Sequence, residues 1–170
     1  MEQTRFWQTV RRLDAALAFC VRALAAVSGI SICLTILVVC ADVVLRLVNL
    51  SFIGAYDIVR ILGAITLAAA LPYTTAVKGH VAIEFLFQIL GRKSRIVVDS
   101  IMRLLSITLF AFLSWRSIEY GFRLLDAGRV SQTLQIPVFW VPMFIGLNCF
   151  FVVLVILHHL VYPQREMIKP

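Results

Sequence analysis

Charge is scarce in this chain, and acid is scarcest: nine Asp and Glu stand against sixteen Lys and Arg in 170 residues, 15% charged in all. A soluble domain carries about 25% charged residues, so this complement excludes an ordinary water-facing surface. The motifs of chemistry are missing as well. The chain has no nucleophile elbow, no glycine-rich phosphate loop and no HExxH, which removes the common hydrolase, nucleotide-binding and zinc-protease signatures. Cys20, Cys33, Cys40 and Cys149 follow no CxxC or metal spacing. At least three of them lie inside apolar runs, where a free thiol behaves as a small hydrophobe. The net charge of +7 is not interleaved with aromatics as a nucleic-acid surface would be. The bases flank apolar runs instead, the pattern of membrane topology and anionic lipid.

What is present is hydrophobic bulk: 61% apolar residues and a mean hydropathy of +0.94, the composition of an integral membrane protein. A helix needs roughly 20 apolar residues to cross a hydrocarbon core about 30 Å thick. Four segments qualify. Ala23–Ala41 is uncharged throughout, Ile61–Val77 carries Pro72 as an expected kink, and Leu134–Leu157 has Pro137 near its start. The third is short, with only Leu104–Trp115 between Arg103 and Arg116. It crosses only if its helix continues past both arginines, which then snorkel outward or point into protein. The expectation is an all-α integral membrane protein, one domain over 1–170, with spans near 23–46, 58–77, 99–120 and 134–159. Arg11 and Arg12 ahead of the first run resemble the start of a signal peptide. The run is too long and lacks a small-x-small cleavage site, so a signal anchor is expected.

Between the second and third spans lies "KGHVAIEFLFQILGRKSR", greasy but too short to cross and interrupted by Glu84. At 100° per residue, His80, Glu84, Gln88, Arg92 and Arg95 fall within an arc of about 120°. The rest of the wheel is apolar, and only Val81 intrudes on the polar arc. This predicts an amphipathic helix over 80–92 lying in the membrane plane.

Most acids have a base three or four residues away, among them Asp42–Arg46, Asp57–Arg60, Glu119–Arg123 and Asp126–Arg129. On helices this spacing puts both charges on one face and describes self-neutralised helix ends. Glu84 has only His80 at that spacing. Asn148, near the middle of the fourth span, is expected to hydrogen-bond between helices. The histidines raise a haem- or quinone-linked cytochrome subunit as one alternative, and a stand-alone small transporter is another. Bis-imidazole ligation wants histidines buried on facing helices, and a transporter of this size wants a mid-membrane charge cluster or an inverted repeat.

The segments "DVVLRLVNLSFIGAYDIVRILGAITLAAALPYTTAVKGHVAIEF" and "SQTLQIPVFWVPMFIG" together resemble the small membrane subunit of TRAP transporters, the DctQ-type family. The matching features are Arg46 at the end of span one, Asp57 and Arg60 as an acid-x-x-Arg, and Gly63 early in span two. His80, Val81, Ile83 and Glu84 follow as a His-hydrophobic-x-hydrophobic-acid motif. Ser131, Leu134, Ile136, Pro137 and Trp140 then stand before span four. Asp57 and Glu84 each exchange one acid for the other relative to the usual pattern and keep its charge. The likeness covers roughly residues 40–157. It implies a tripartite, sodium-driven importer of organic acids in a bacterial inner membrane. A periplasmic binding protein captures the substrate, and a large permease subunit holds the substrate and sodium sites. The small subunit scaffolds the large one and has no catalytic, cofactor or metal site of its own. Arg46, Asp57, Arg60, His80, Glu84, Arg103, Pro137 and Trp140 are then expected at subunit interfaces or in structural roles.

Orientation follows from the Lys/Arg count. Four spans put Arg5, Arg11, Arg12, Arg22, Lys78, Arg92, Lys93, Arg95, Arg165 and Lys169 on one side and Arg46, Arg60, Arg116, Arg123 and Arg129 on the other. Ten against five predicts cytoplasmic termini. Cysteine labelling should therefore reach positions near Ser51 and Gly128 from outside, and those near Arg5, Arg92 and Arg165 only after permeabilisation. Labelling at position 92 from the periplasm would overturn this topology.

Overall fold

The computed structural model of the chain describes residues 2–50, 52–77 and 92–161. Four helices make up nearly all of them: α1 (Glu2–Leu47), α2 (Ala55–Ala76), α3 (Arg92–Asp126) and α4 (Trp140–Val161). The amphipathic helix expected over 80–92 falls almost wholly outside the described residues, as do His80 and Glu84. Each helix contains a stretch long and apolar enough to cross a membrane, namely Ala16–Leu47, Ala55–Ala76, Ser100–Asp126 and Trp140–His158.

The helix limits have local causes. No proline occurs in α1 and its one glycine, Gly29, is tolerated, so the helix runs on from the charged N-terminal segment into the span. At about 1.5 Å per residue it is roughly 69 Å long, more than twice the hydrocarbon core. Its membrane portion is bracketed by charge, with Arg22 and Asp42 about 30 Å apart along the axis. α1 ends where Asn49 turns left-handed at φ 58°. Leu50 N–H then donates to the Leu45 carbonyl (2.9 Å) and Asn49 N–H to Arg46 (3.1 Å), a Schellman closure that satisfies the last carbonyls. α3 ends the same way. Gly128 has φ 58°, and the bonds run from Arg129 to Leu124 (3.1 Å) and from Gly128 to Leu125 (3.0 Å). α3 passes through both Arg103 and Arg116, and this makes a membrane span of the twelve-residue apolar run. The fourth helix, expected from about residue 134, starts at Trp140. Residues 134–139 belong to the preceding loop, because Pro137 sits in a backbone bridge with Val130 and cannot begin a helix there.

The helices form a row, not a closed bundle. α1 packs on α2, α2 on α4 and α4 on α3, so α1 and α3 occupy opposite ends. α2 can sit in the middle because its buried positions are small: Ala55, Ala68, Ala69 and Ala76, with Pro72 and Thr75. Small side chains let helix backbones approach closely, which is how helices associate where lipid supplies no hydrophobic drive between them. The Ser28 hydroxyl donates to the Thr66 carbonyl at 2.9 Å and ties α1 to α2. Val21 of α1, Ala76 of α2 and Val155 of α4 form a buried cluster flanked by Leu17, Tyr73 and Val77, closing the end of the row that carries the N-terminus.

The α3–α4 contact is close. The buried Ser114 hydroxyl donates to the Gly146 carbonyl at 2.8 Å. A Cβ added at Gly146 would come within 2.7 Å of Ile118 Cγ1 and 3.0 Å of the Ser114 carbonyl, and one at Gly121 within 2.7 Å of Met143 Cγ and 3.1 Å of the Phe139 carbonyl. Backbone atoms on the far side cannot step aside. At Gly63, by contrast, an added Cβ meets nothing within 4 Å. Gly146→Ala should therefore destabilise the fold by about 1–3 kcal/mol through overpacking. Gly63→Ala should be neutral or stabilising by up to about 1 kcal/mol through helix propensity. Thermal unfolding of the purified variants in detergent measures both, and equal midpoints would refute the close α3–α4 approach.

Candidate functional site

At the end of the row opposite the termini, the loop between α3 and α4 folds back on itself and grips the start of α2. The loop is a narrow hairpin. Ser131 N–H donates to the Ile136 carbonyl at 2.8 Å and Val138 N–H to Arg129 at 3.4 Å, while the Ser131 hydroxyl accepts from Ile136 N–H at 3.4 Å. Gln135 takes a left-handed φ of 52° to close the turn. These bonds leave the N–H groups of Thr133 and Leu134 pointing out of the hairpin.

Asp57 takes both. Its Oδ2 accepts from Thr133 N–H at 2.8 Å and from Leu134 N–H at 3.0 Å, across 76 and 77 residues of chain. The residue is 2% exposed. It stands in the first turn of α2, where free N–H groups and the helix dipole favour negative charge. One carboxylate thus satisfies two main-chain donors of a loop and sits at the positive end of a helix. Its Oδ1 is buried without a hydrogen-bond partner.

Gly54 completes the clasp. It caps α2 at φ 99° without a side-chain cap, a conformation that glycine alone adopts readily. A Cβ there would lie 2.6 Å from Leu134 Cδ2 and 2.8 Å from Leu134 Cγ, so Leu134 packs directly on the bare backbone. The Gly54-x-x-Asp57 and Ser131-x-x-Leu134 elements are therefore two halves of one joint. The spacing Gly-x-x-acid at a helix start was a usable signal for it, but Gly54 and the two loop amides do not emerge from side-chain patterns.

The other expected residues distribute around this joint. Arg46 pairs with Asp42 at 2.8 Å, with Arg46 two-thirds exposed. Arg60 lies exposed one turn beyond Asp57 and the pair expected between them is not formed, because the carboxylate is already held by the loop. Asp126 and Arg129, also expected to pair, do not: the Schellman turn at Gly128 takes Arg129 off the helical face that the spacing assumed. Glu119 pairs at 3.9 Å with Arg123 and more closely, at 2.6 Å, with Arg116. Pro137 forms the loop's bridge with Val130, and Trp140 is half-buried at the first position of α4. Arg103 is half-buried in α3. Asn148 is fully buried, but its amide donates to the Phe144 carbonyl of its own helix at 2.8 Å rather than across to another, leaving Oδ1 without a partner. Among the described residues no group of three or more His, Cys, Asp or Glu converges as a metal site would need.

Removing the Asp57 carboxylate would strand two loop amides. Asp57→Ala should raise hydrogen exchange at Thr133 and Leu134 by about tenfold or more relative to the Ala68 and Ala69 amides mid-α2. Asp57→Asn, which keeps one acceptor oxygen, should have a smaller effect. Unchanged exchange in Asp57→Ala would show that the loop holds without the clasp.

The sequence model of the DctQ component of tripartite ATP-independent periplasmic transporters matches residues 35–166, a range that contains the whole clasp and the last three spans. Comparison with curated proteins and with solved structures gives no match.

Proposed function

The chain belongs to the DctQ family, the membrane component of tripartite ATP-independent periplasmic transporters, and on that premise we propose that it braces the large permease subunit during sodium-coupled import of an organic acid. Family membership displaces the cytochrome and stand-alone transporter readings. In this proposal the large subunit carries the substrate and sodium sites, and a periplasmic binding protein delivers the substrate. The small subunit sits in the inner membrane with both termini cytoplasmic.

The observation that carries the reading is the row of helices pinned at both ends. The Asp57 clasp holds α2 to the α3–α4 loop at one end, and the Val21–Ala76–Val155 cluster joins α1, α2 and α4 at the other. A flat row presents long apolar flanks on α1 and α3, which are the least buried of the four spans. Such flanks suit lipid and a membrane partner alike. A brace needs stiffness and surface rather than a pocket, and this architecture supplies both. His80 and Glu84, in the segment after α2, are proposed as further points of attachment to the large subunit.

Reconstitution tests it. Vesicles holding this chain, the large permease and the binding protein should accumulate a labelled organic acid when an inward sodium gradient is imposed. Vesicles with this chain alone should match protein-free vesicles, and those lacking only this chain should lose most of the uptake. Full uptake without this chain, or uptake by this chain alone, would overturn the proposal.

A further inference from the structure

On α3, Arg116, Glu119 and Arg123 form a ladder. Arg116 Nη1 lies 2.6 Å from Glu119 Oε2, Arg123 Nη2 lies 3.9 Å from Glu119 Oε1, and all three side chains are 40% or more exposed. Two guanidiniums share a single carboxylate, so the ladder carries a net positive charge. Arg116, Ser117, Tyr120 and Arg123 recur at the spacing of one helix face, and they line an open groove whose other wall is Pro142 and Ile145 of α4. One wall is cationic and hydroxylated, the other apolar.

The depth of the groove points to its occupant. A 30 Å core laid along α3 from Leu104, just past Arg103, closes about 20 residues on, near Arg123. Arg123 then stands at the boundary between hydrocarbon and headgroups, and Arg116 about 10 Å inside it. The ladder climbs from Arg116 through Glu119 to Arg123, the direction in which a buried base snorkels. Aromatic residues mark the same level. Trp115, Tyr120 and Phe122 are exposed there, as expected of an interfacial belt, and the Arg123 guanidinium lies over the Tyr120 ring, 5.9 Å from its centroid. Because α3 ends the row, the groove opens sideways to the bilayer rather than to another helix of this chain.

We propose that the α3–α4 groove binds an anionic glycerophospholipid of the leaflet on the side of the 127–139 loop. Arg116 and Arg123 hold the phosphate, and an acyl chain lies along Pro142 and Ile145. Guanidinium forks match phosphate oxygens bidentately, and basic pockets between membrane helices are suited to anionic headgroups. Glu119 holds the two arginines in place and competes with the phosphate for them. The site rests on α3 crossing the membrane and is independent of the transport reading.

Lipid retention by the full chain, purified in detergent and exposed to equal phosphatidylglycerol and phosphatidylcholine, is read by native mass spectrometry. The wild type should retain phosphatidylglycerol over phosphatidylcholine by about fivefold, the preference one net charge supplies. Arg116→Gln with Arg123→Gln should bring the ratio to unity, and Arg129→Gln, in the loop outside the groove, should leave it unchanged. Glu119→Gln should raise the ratio, a gain that misfolding cannot imitate. Excess inorganic phosphate should not displace the bound lipid. A ratio that survives the double substitution, falls in Glu119→Gln or drops equally in Arg129→Gln would overturn the site. Displacement by phosphate would mean a free-anion site, and unchanged lipid with loss of the large permease would mean a protein interface. Either result also refutes the proposal.

Discussion

Everything at one end of this molecule hangs on a single carboxylate. Asp57 Oδ2 takes two amide hydrogens from a loop 76 residues away. Each amide left unpaired near a membrane costs more than it would in water, because fewer solvent molecules stand ready to replace the lost acceptor. The bond fixes the loop, the loop fixes where α4 begins, and α4 is the helix against which both α2 and α3 pack. The two loop amides and the helix dipole of α2 make the buried carboxylate tolerable.

The second constraint is the size of side chains at helix contacts. In a membrane, apolar area alone does not pull helices together, so close approach and a few hydrogen bonds must. α2 meets this with alanine, and α3 and α4 meet it with Ser114, Gly121 and Gly146. Large apolar residues such as Leu67, Leu104 and Phe150 are turned outward. A soluble bundle would invert that arrangement. The row geometry follows, since each helix has at most two faces fit for close packing and the outer helices have one.

Charge is handled in three different ways along the chain. Arg46 and Asp42 neutralise each other at a helix end. Asp57 is neutralised by dipoles and amides rather than by a base. The ladder of Arg116, Glu119 and Arg123 keeps a net charge and climbs from within the span to its boundary. The i, i+3 and i, i+4 spacing is the same in all three places, so spacing alone does not decide the partner. Local geometry does: a loop with two free amides takes Asp57 in place of Arg60, and Glu119 serves Arg116 closely and Arg123 more loosely.

The sequence by itself determined the class of the fold and the number of helices long and apolar enough to cross a membrane. Those properties depend on residues within one or two helical turns and on the solvent they require, as with the uncharged run 23–41 or the bases flanking each span. It also carried the family motifs, because Asp57, Ser131, Leu134 and Pro137 are legible as letters in order. Their meaning as one joint was not legible. Oδ2 of Asp57 meets main-chain amides, which every residue possesses and no residue name reveals. The start of α4 at Trp140, the row order α1–α2–α4–α3 and the inward turn of Gly54 and Gly146 were likewise decided by the tertiary structure. They are contacts between segments far apart in the chain, and only their packing selects among alternatives that local propensity leaves equal.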